Sequence, residues 1–127
     1  GLAAIQVGVP KRVLVMDTEG DADNPSPILM ANPKVIWESP EINTYNEGCL
    51  SVPEQYAVVE RPEKVKVEYL DYDGVLRTLD MDALNATCVQ HEIDHLDGVV
   101  FIDYLSRLKR SMIVKKVRKL TQDTTVL

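Results

Sequence analysis

The sequence is poor in cysteine and histidine, with two residues of each among 127. Two isolated cysteines, Cys49 and Cys88, are too few for a disulfide scaffold, so we expect thiols that serve packing, metal binding or catalysis. No apolar run approaches the roughly 20 residues that a membrane-spanning helix needs, and no basic leader precedes an apolar stretch. These absences argue against a disulfide-stapled domain and a membrane span, and they predict a cytoplasmic protein.

Basic residues are sparse before position 104 and concentrated after it. The chain has a net charge of −6, yet residues 104–127 contain seven Lys or Arg and one acid, a local charge of +6. Such a block is typical of a solvated helix face or of a surface that meets nucleic acid. A chain of this length supports one compact domain, so we expect a single core over residues 1–127.

Period-two patterns predict strands through most of the first eighty residues. The run Arg12–Asp17 is apolar and β-branched, and another strand should begin at Ile28. Prolines at positions 33, 40, 53 and 62 are expected to divide the middle of the chain into short strands. Residues 65–69 alternate apolar and charged side chains ahead of Asp73-Gly74, which predicts a hairpin.

From Asp82 onward the apolar period becomes that of a helix. Four side chains at spacings of four, three and four share one helical face: Leu84, Cys88, His91 and His95. Asp82 is the expected N-cap and Gly98 the expected C′ residue. We therefore predict an α+β fold in which small antiparallel β-sheets surround a central helix.

The end of the chain is expected to form a short strand, Val99–Asp103, and then an amphipathic helix, Ser106–Leu120, capped by Ser106. Leu108 and Met112 should lie on the apolar face of that helix. The last seven residues, 121–127, are expected to fray.

The segment His91-Glu92-Ile93-Asp94-His95 is the strongest chemical signal. On a helix, HExxH places two imidazoles one turn apart on one side, where both can bind one metal ion. Glu92, about 100° around the helix from His91, can take a proton from a water that the ion activates. The alternative is a packed helix with a solvated glutamate, but both histidines of the chain lie in this motif. The pattern favours a metal-dependent hydrolase.

A catalytic site of this kind needs a third protein ligand. The HExxHxxGxxH pattern fails because position 101 is Phe101, and no glutamate follows the motif. Cys88 lies too far from His95, about 10.5 Å along the helix axis. Cys49 and Asp103 remain as candidates, and the second would indicate an aspartate-ligand metallopeptidase. A metal-stabilised binding module without catalysis is a further interpretation.

Three separated motifs occur in order: GLAAIQ at Gly1–Gln6, EGCLS at Glu47–Ser51 and QHEIDH at Gln90–His95. In this combination the chain resembles the peptide deformylase family, of the bacterial type that carries EGCLS, from Gly1 to about Leu120. The resemblance implies one catalytic domain over 1–127 that hydrolyses N-formyl-methionyl peptides to formate and a free amine. It also implies a helix and a strand ahead of GLAAIQ that this sequence does not include.

The resemblance assigns the metal chemistry to four residues. Cys49, His91 and His95 would bind one divalent metal, Fe(II) in the cell, while Zn, Ni or Co would also suit two imidazoles and a thiolate. Glu92 would be the general acid and base.

The resemblance also assigns the remaining site residues. Gln6, through its side-chain amide, and Leu50, through its backbone N–H, would stabilise the oxyanion of the formyl group. Five residues are expected to bind the methionyl peptide: Gly1, Glu47, Gly48, Leu84 and Cys88.

The basic C-terminal helix is the candidate surface for a larger partner. Its charge and the family's role in nascent-chain processing suggest docking on ribosomal RNA. A solvated helix face is the alternative, and neither a membrane nor DNA is an expected partner.

Overall fold

The computed structural model describes the backbone of residues 1–125 and the side chains of residues 1–120. The chain packs as two compact units, each with its own core. Unit 1 consists of Gly1–Asn43 and Glu60–Val99, and unit 2 consists of Thr44–Val59 and the chain from Val100 onward. The assignment of residues 1–127 to one catalytic domain stays a prediction.

The described strands are β1 Leu2–Ala3, β2 Val13–Met16, β3 Ile28–Glu38, β4 Ile42–Cys49, β5 Val52–Pro62, β6 Lys64–Leu70 and β7 Leu76–Asp82. The helices are α1 Ala83–Leu96 and α2 Arg107–Thr125, with 3-10 helices at Ala4–Val7 and Phe101–Tyr104. None of the described helices is both long enough and apolar enough to cross a membrane. The predicted α+β fold is confirmed.

Unit 1 is built on a five-stranded antiparallel sheet of order β1-β2-β3-β6-β7. The predicted hairpin is its β6-β7 pair, whose register runs from Lys64↔Asp82 to Leu70↔Leu76. Its turn contains Gly74 at φ +76°, a left-handed conformation that glycine adopts without strain. Asp71 closes the turn by accepting hydrogen bonds from the N–H groups of Asp73 and Val75.

The prediction that prolines cut the middle of the chain into short strands is wrong. β3 and β5 each run for 11 residues and contain Pro33 and Pro53, while Pro62 is the last residue of β5. Pro33 lies where the β3–β6 register shifts between Ala31 and Lys34. A bulge of this kind tolerates a residue that cannot donate to the ladder, so the strand continues past it.

The core of unit 1 lies between one face of the sheet and α1. Alternate strand residues and one side of the helix contribute its buried side chains: Leu14, Met16, Met30, Val65, Val67, Met81, Ala86, Val89 and Ile93. This packing, rather than helix propensity alone, holds α1 in place. The helix that carries both histidines is therefore fixed against the sheet.

The predicted ends of α1 are confirmed. Asp82 is the N-cap residue in an extended conformation, although its side chain makes no capping hydrogen bond. Ala83, the first helical residue, has φ +47°. At the other end Asp97 is the C-cap, and Gly98 follows at φ +78° with its N–H donating to the His95 carbonyl at 3.1 Å.

Unit 2 contains most of the two-stranded β4-β5 sheet, a 3-10 helix and α2. The predicted strand Val99–Asp103 is wrong, because Phe101–Tyr104 forms the 3-10 helix. Asp103 favours this turn, since its Oδ2 accepts the Val100 N–H at 3.0 Å. The turn buries two consecutive apolar side chains, which a strand would point in opposite directions. The core consists of Val52, Val59, Phe101, Ile102 and Ile113.

The helix α2 begins where predicted, but its buried face differs. The Ser106 hydroxyl accepts the Lys109 N–H at 3.3 Å, as an N-cap does. Leu108 and Met112 are 70% and 51% exposed, so their predicted place on the buried face is wrong. Ile113 faces the core instead, with Val114 and Val117 packed beside it.

The predicted fraying of residues 121–127 is wrong for most of that segment. The backbone of α2 continues in helical conformation to Thr125. Val126 and Leu127 lie outside the described residues, so the expectation for them stays untested.

Candidate active site

The two histidines come from consecutive turns of α1 and converge on one point. The Nε2 atoms of His91 and His95 are 3.1 Å apart, and the two rings meet edge to face with centroids 4.7 Å apart. Two nitrogens that each lie about 2.1 Å from one metal ion can be at most about 4.2 Å apart. The observed pair therefore fits a shared ion. His95 is buried and His91 half-buried, so the pair opens on one side only.

Glu92 lies beside this pair in a buried position. Its side chain is 3% exposed, so the expectation of a solvated carboxylate under the packed-helix alternative does not hold. The α-carbon of Gly1 packs directly against it. A Cβ added at Gly1 would lie 2.8 Å from Glu92 Cγ and 2.9 Å from Oε1. The structure thus brings the predicted base and the first residue of GLAAIQ into contact.

Gln6 lies in the 3-10 helix Ala4–Val7 and is oriented by its own backbone. Its Oε1 accepts the N–H of Ala3 at 2.8 Å. Holding the oxygen in this way fixes which end of the amide faces outward, and the outward end is the Nε2 donor. The side chain is half-buried. This orientation suits the predicted donation to a substrate oxygen.

Leu84 and Cys88 lie one and two turns before His91 on α1. Leu84 is 51% exposed, whereas Cys88 is half-buried and packs on the core of unit 1. Both cysteines of the chain are thiols. The helix therefore presents an apolar surface, followed by the histidines, along one face.

The EGCLS motif lies at the end of β4 in unit 2. Glu47 is buried at 7% exposure. Gly48 is packed against the ring of Tyr56, because a Cβ added there would lie 2.4 Å from Cδ1 and Cε1 of that ring. The expectation that Gly48 permits a close approach is confirmed, and the approaching group is an aromatic side chain.

Cys49 and Leu50 occupy the turn that follows. The Cys49 Sγ accepts the Ser51 N–H at 3.4 Å, and the residue packs at the edge of the unit 2 core. Leu50 is 86% exposed, so its role is not in packing. Its backbone lies in the turn between β4 and β5. Neither observation tests the metal or oxyanion roles, which stay predictions.

Asp103, the other candidate for third ligand, is engaged within its own segment. Its Oδ1 accepts from Arg110 Nε at 3.2 Å, and its Oδ2 caps the 3-10 helix at Val100. A carboxylate committed to a cap and an ion pair would have to give up both to bind a metal. The structure therefore favours a local structural role for Asp103.

Comparison with known proteins places the chain in a family. The sequence profile described as Polypeptide deformylase matches residues 1–111. The peptide deformylase of Pelagibacter ubique (strain HTCC1062) is 53% identical over 127 residues, which is 100% of this chain and 74% of that protein. The chain belongs to the polypeptide deformylase family.

Solved peptide deformylase structures share the fold. The crystal structure from Legionella pneumophila superposes with a TM-score of 0.89 at 41% identity, over 98% of this chain and 72% of that one. The structure from Ehrlichia chaffeensis gives a TM-score of 0.88 at 40% identity, over 99% and 75%. Peptide deformylases are metallohydrolases that remove N-terminal formyl groups from nascent peptides. The predicted family and enzyme class are confirmed.

One buried residue beside the deformylase motif was missed by the sequence analysis. Arg61, near the end of β5, is 4% exposed and donates through Nη1 to Asp94 Oδ2 at 2.7 Å. A signal was present, because Arg61 follows Ala57 and Val59 at period two and so shares their face of the strand. An arginine on an inward face needs a fixed partner, and Asp94 inside HEIDH supplies it.

Proposed function

We propose that this chain hydrolyses the formyl group from the N-terminal formyl-methionine of nascent polypeptides. Water adds to the formyl carbon, the C–N bond breaks, and the products are formate and a free methionyl amine. The observation that carries the proposal is the convergence of His91 and His95 beside a buried Glu92, in a chain of this family. We propose further that residues 1–127 act as one catalytic domain, in the cytoplasm.

We propose that Cys49, His91 and His95 hold one divalent metal, Fe(II) in the cell, with Zn, Ni and Co as alternatives. Support comes from the 3.1 Å separation of the two imidazole nitrogens and from a thiol in the EGCLS motif. Two nitrogens and one sulfur suit each of these ions. When bound, the ion supplies Lewis acidity toward the formyl carbonyl.

Glu92 is the proposed proton carrier. A carboxylate at this position takes a proton from the attacking water and later delivers it to the departing amine nitrogen. Its burial against Gly1 restricts its rotamers, which keeps the carboxylate aimed at one place. General acid–base catalysis of this kind typically contributes about 10²–10⁴ in rate.

Gln6 and Leu50 are the proposed oxyanion donors. The Gln6 Nε2, held outward by the bond from the Ala3 N–H to Oε1, and the Leu50 backbone N–H would donate to the formyl oxygen. Charge grows on that oxygen as water adds, so fixed donors lower the barrier. Five residues would contact the methionyl peptide: Gly1, Glu47, Gly48, Leu84 and Cys88.

Formate release from formyl-Met-Ala tests the reaction. The protein loaded with Fe(II) or Ni(II) without oxygen is expected to release formate, whereas acetyl-Met-Ala should release no acetate. Glu92→Ala should lower kcat by about 10²-fold or more. The matched control is Glu60→Ala, because Glu60 is an exposed acid on β5.

The outcomes separate the alternatives. A folded, metal-loaded protein that releases no formate would contradict the proposal and favour the binding module. The aspartate-ligand metallopeptidase predicts that Cys49→Ala keeps the metal and Asp103→Ala loses it, whereas our proposal predicts the reverse.

We propose a second function for α2, which is docking on ribosomal RNA. Support comes from its exposed cations beyond Arg107, while Ile113 faces the core. Charge reversal at four of these residues should weaken co-sedimentation with ribosomes: Lys115, Lys116, Arg118 and Lys119. Each lost phosphate contact should lower the salt dependence of binding by about 0.7–0.9 in log–log slope.

The matched control reverses the same number of charges elsewhere in the chain, at Lys11, Lys34, Lys64 and Lys66. This variant has the same net charge as the α2 variant. Equal loss of co-sedimentation in both variants, or no loss in either, would contradict docking through α2.

A further inference from the structure

Two polar residues of α1 precede the histidines by one position each and face the strand β5. Gln90 is 8% exposed, and its Nε2 donates to the Pro62 carbonyl at 3.1 Å and to the Ala86 carbonyl at 3.0 Å. Asp94 accepts from Arg61 Nη1 at 2.7 Å. The helix is thus tied at two points, one turn apart, to two consecutive residues of β5.

The guanidinium of Arg61 is the costly member of this set. Its side chain is 4% exposed, whereas Asp94 is 22% exposed. Removing a cation from water costs several kcal/mol, and an ion pair offsets that cost only with good geometry. A buried pair is therefore weak support for a purely stabilising role, for which an apolar pair would serve as well. What an ion pair supplies beyond packing is a fixed direction.

The direction matters because of helix geometry. Adjacent residues are separated by about 100° around the helix and 1.5 Å along it. Fixing Gln90 and Asp94 against β5 therefore fixes the neighbouring His91 and His95, both in rotation about the axis and in position along it. A rotation of α1 would carry both imidazoles away from their common point together.

We propose that Arg61 and Gln90 are positioning residues that orient α1 so that His91 and His95 keep one metal ion. We call Arg61, Pro62, Gln90 and Asp94 the β5 anchor. This inference rests on the proposed metal site, and it adds residues that bind neither metal nor substrate. Substitutions around metal ligands typically cost about 10–100-fold in affinity or activity, which sets the expected size of the effect.

The test measures metal affinity separately from stability and turnover. Co(II) dissociation constants are determined by competition with a chromophoric chelator for the parent, Arg61→Met and Asp94→Asn, below the unfolding temperature of each. Both variants should bind Co(II) about 10–100-fold more weakly, with altered Co(II) absorption bands. They should also lower kcat more than they change KM. Arg61→Lys should restore part of the affinity, because it returns the charge without the planar fork.

An exposed ion pair at the end of the same helix provides the control. Arg12 Nη1 lies 2.8 Å from Asp97 Oδ1, with the two side chains 45% and 55% exposed. Arg12→Met and Asp97→Asn remove a pair of the same chemistry without touching the β5 anchor. They should leave the Co(II) dissociation constant within about twofold, because exposed pairs contribute little.

Each outcome decides the proposal. If the anchor variants lower the melting temperature but bind Co(II) as the parent does, the pair is only structural and the proposal is overturned. If Arg61→Met fails to fold, Arg61→Lys and Gln90→Met carry the same comparison. A parent that binds Co(II) but releases no formate contradicts the proposed reaction and leaves the affinity test in force. A parent that binds no Co(II) overturns both proposals.

Discussion

Two glycines are defined by the side chains that lie against their α-carbons. Gly1 packs against Glu92, the proposed proton carrier, and Gly48 packs against the ring of Tyr56. Neither has the positive φ that usually explains a conserved-looking turn glycine, since Gly8, Gly74 and Gly98 are the glycines with that property. The need at Gly1 and Gly48 is for space, so substitutions there should act through their neighbours.

Gly48→Ala is expected to destabilise the protein by about 1–3 kcal/mol, as overpacking does. The added methyl group would lie 2.4 Å from the Tyr56 ring and 3.3 Å from the Gln55 carbonyl, so the ring must move. Urea unfolding measures the loss. The double variant Gly48→Ala/Tyr56→Ala should recover most of it relative to Tyr56→Ala alone, and full additivity would contradict this explanation.

Gly1→Ala is expected to lower kcat about tenfold or more with little change in KM. The added Cβ would push the Glu92 carboxylate away from its place, and a displaced base loses part of its catalytic contribution. Formate release at saturating formyl-Met-Ala measures kcat, and thermal unfolding checks the fold. A variant with parental kcat would show that Glu92 can shift without loss.

At the scale of elements, local patterns predicted what local forces determine. The β6-β7 hairpin and both ends of α1 followed from alternation, a turn glycine and a helix period, and the structure has them. The failures involved long-range packing. Pro33 is accommodated by a bulge that depends on β6, and the turn at Phe101–Tyr104 is set by burial of two neighbouring side chains.

The candidate site divides in the same way. HExxH could be predicted because helix geometry alone brings His91 and His95 together. Arg61 could not, because its partner Asp94 is 33 positions away and only the fold makes them neighbours. The outward amide of Gln6 also depends on a three-residue turn that sequence did not indicate.

The β6-β7 hairpin should weaken in acid through one carboxylate. The hydrogen bond from Arg77, followed by that from the Val75 N–H, holds the pKa of Asp71 below its usual value. The folded pKa is therefore lower than the unfolded one, so the contribution is complete above about pH 4 and is lost as the pH falls through the folded value. Asp71→Asn should lower the melting temperature at pH 7, and this difference should shrink in strong acid.

Melting temperatures of the parent and Asp71→Asn across this pH range provide the measurement. The control is Asp80→Asn, because Asp80 lies 3.8 Å from Lys66 and is 82% exposed. It should change the melting temperature little at any pH. A difference for Asp71→Asn that persists unchanged in acid would refute the role of its charge.

At the scale of the whole molecule, metal binding and folding should be linked. An ion that binds only the folded chain stabilises it by about 2.7 kcal/mol when free ion is at 100 times the dissociation constant. Chelation should therefore lower the melting temperature of the parent. In Cys49→Ala and His91→Ala the chelator should have little effect, and an undiminished effect would contradict the proposed ligand set.

The discontinuous make-up of unit 1 has a consequence for synthesis. Its first segment ends at Asn43 and its second begins at Glu60, and β3 pairs with β6 across that gap. Until Lys64–Leu70 has been translated, β3 lacks a sheet partner on that side, and α1 follows later still. Closing the intervening loop costs entropy before any pairing offsets it. The growing chain must therefore carry an incomplete sheet edge through most of its translation, and unit 1 can close only near the end.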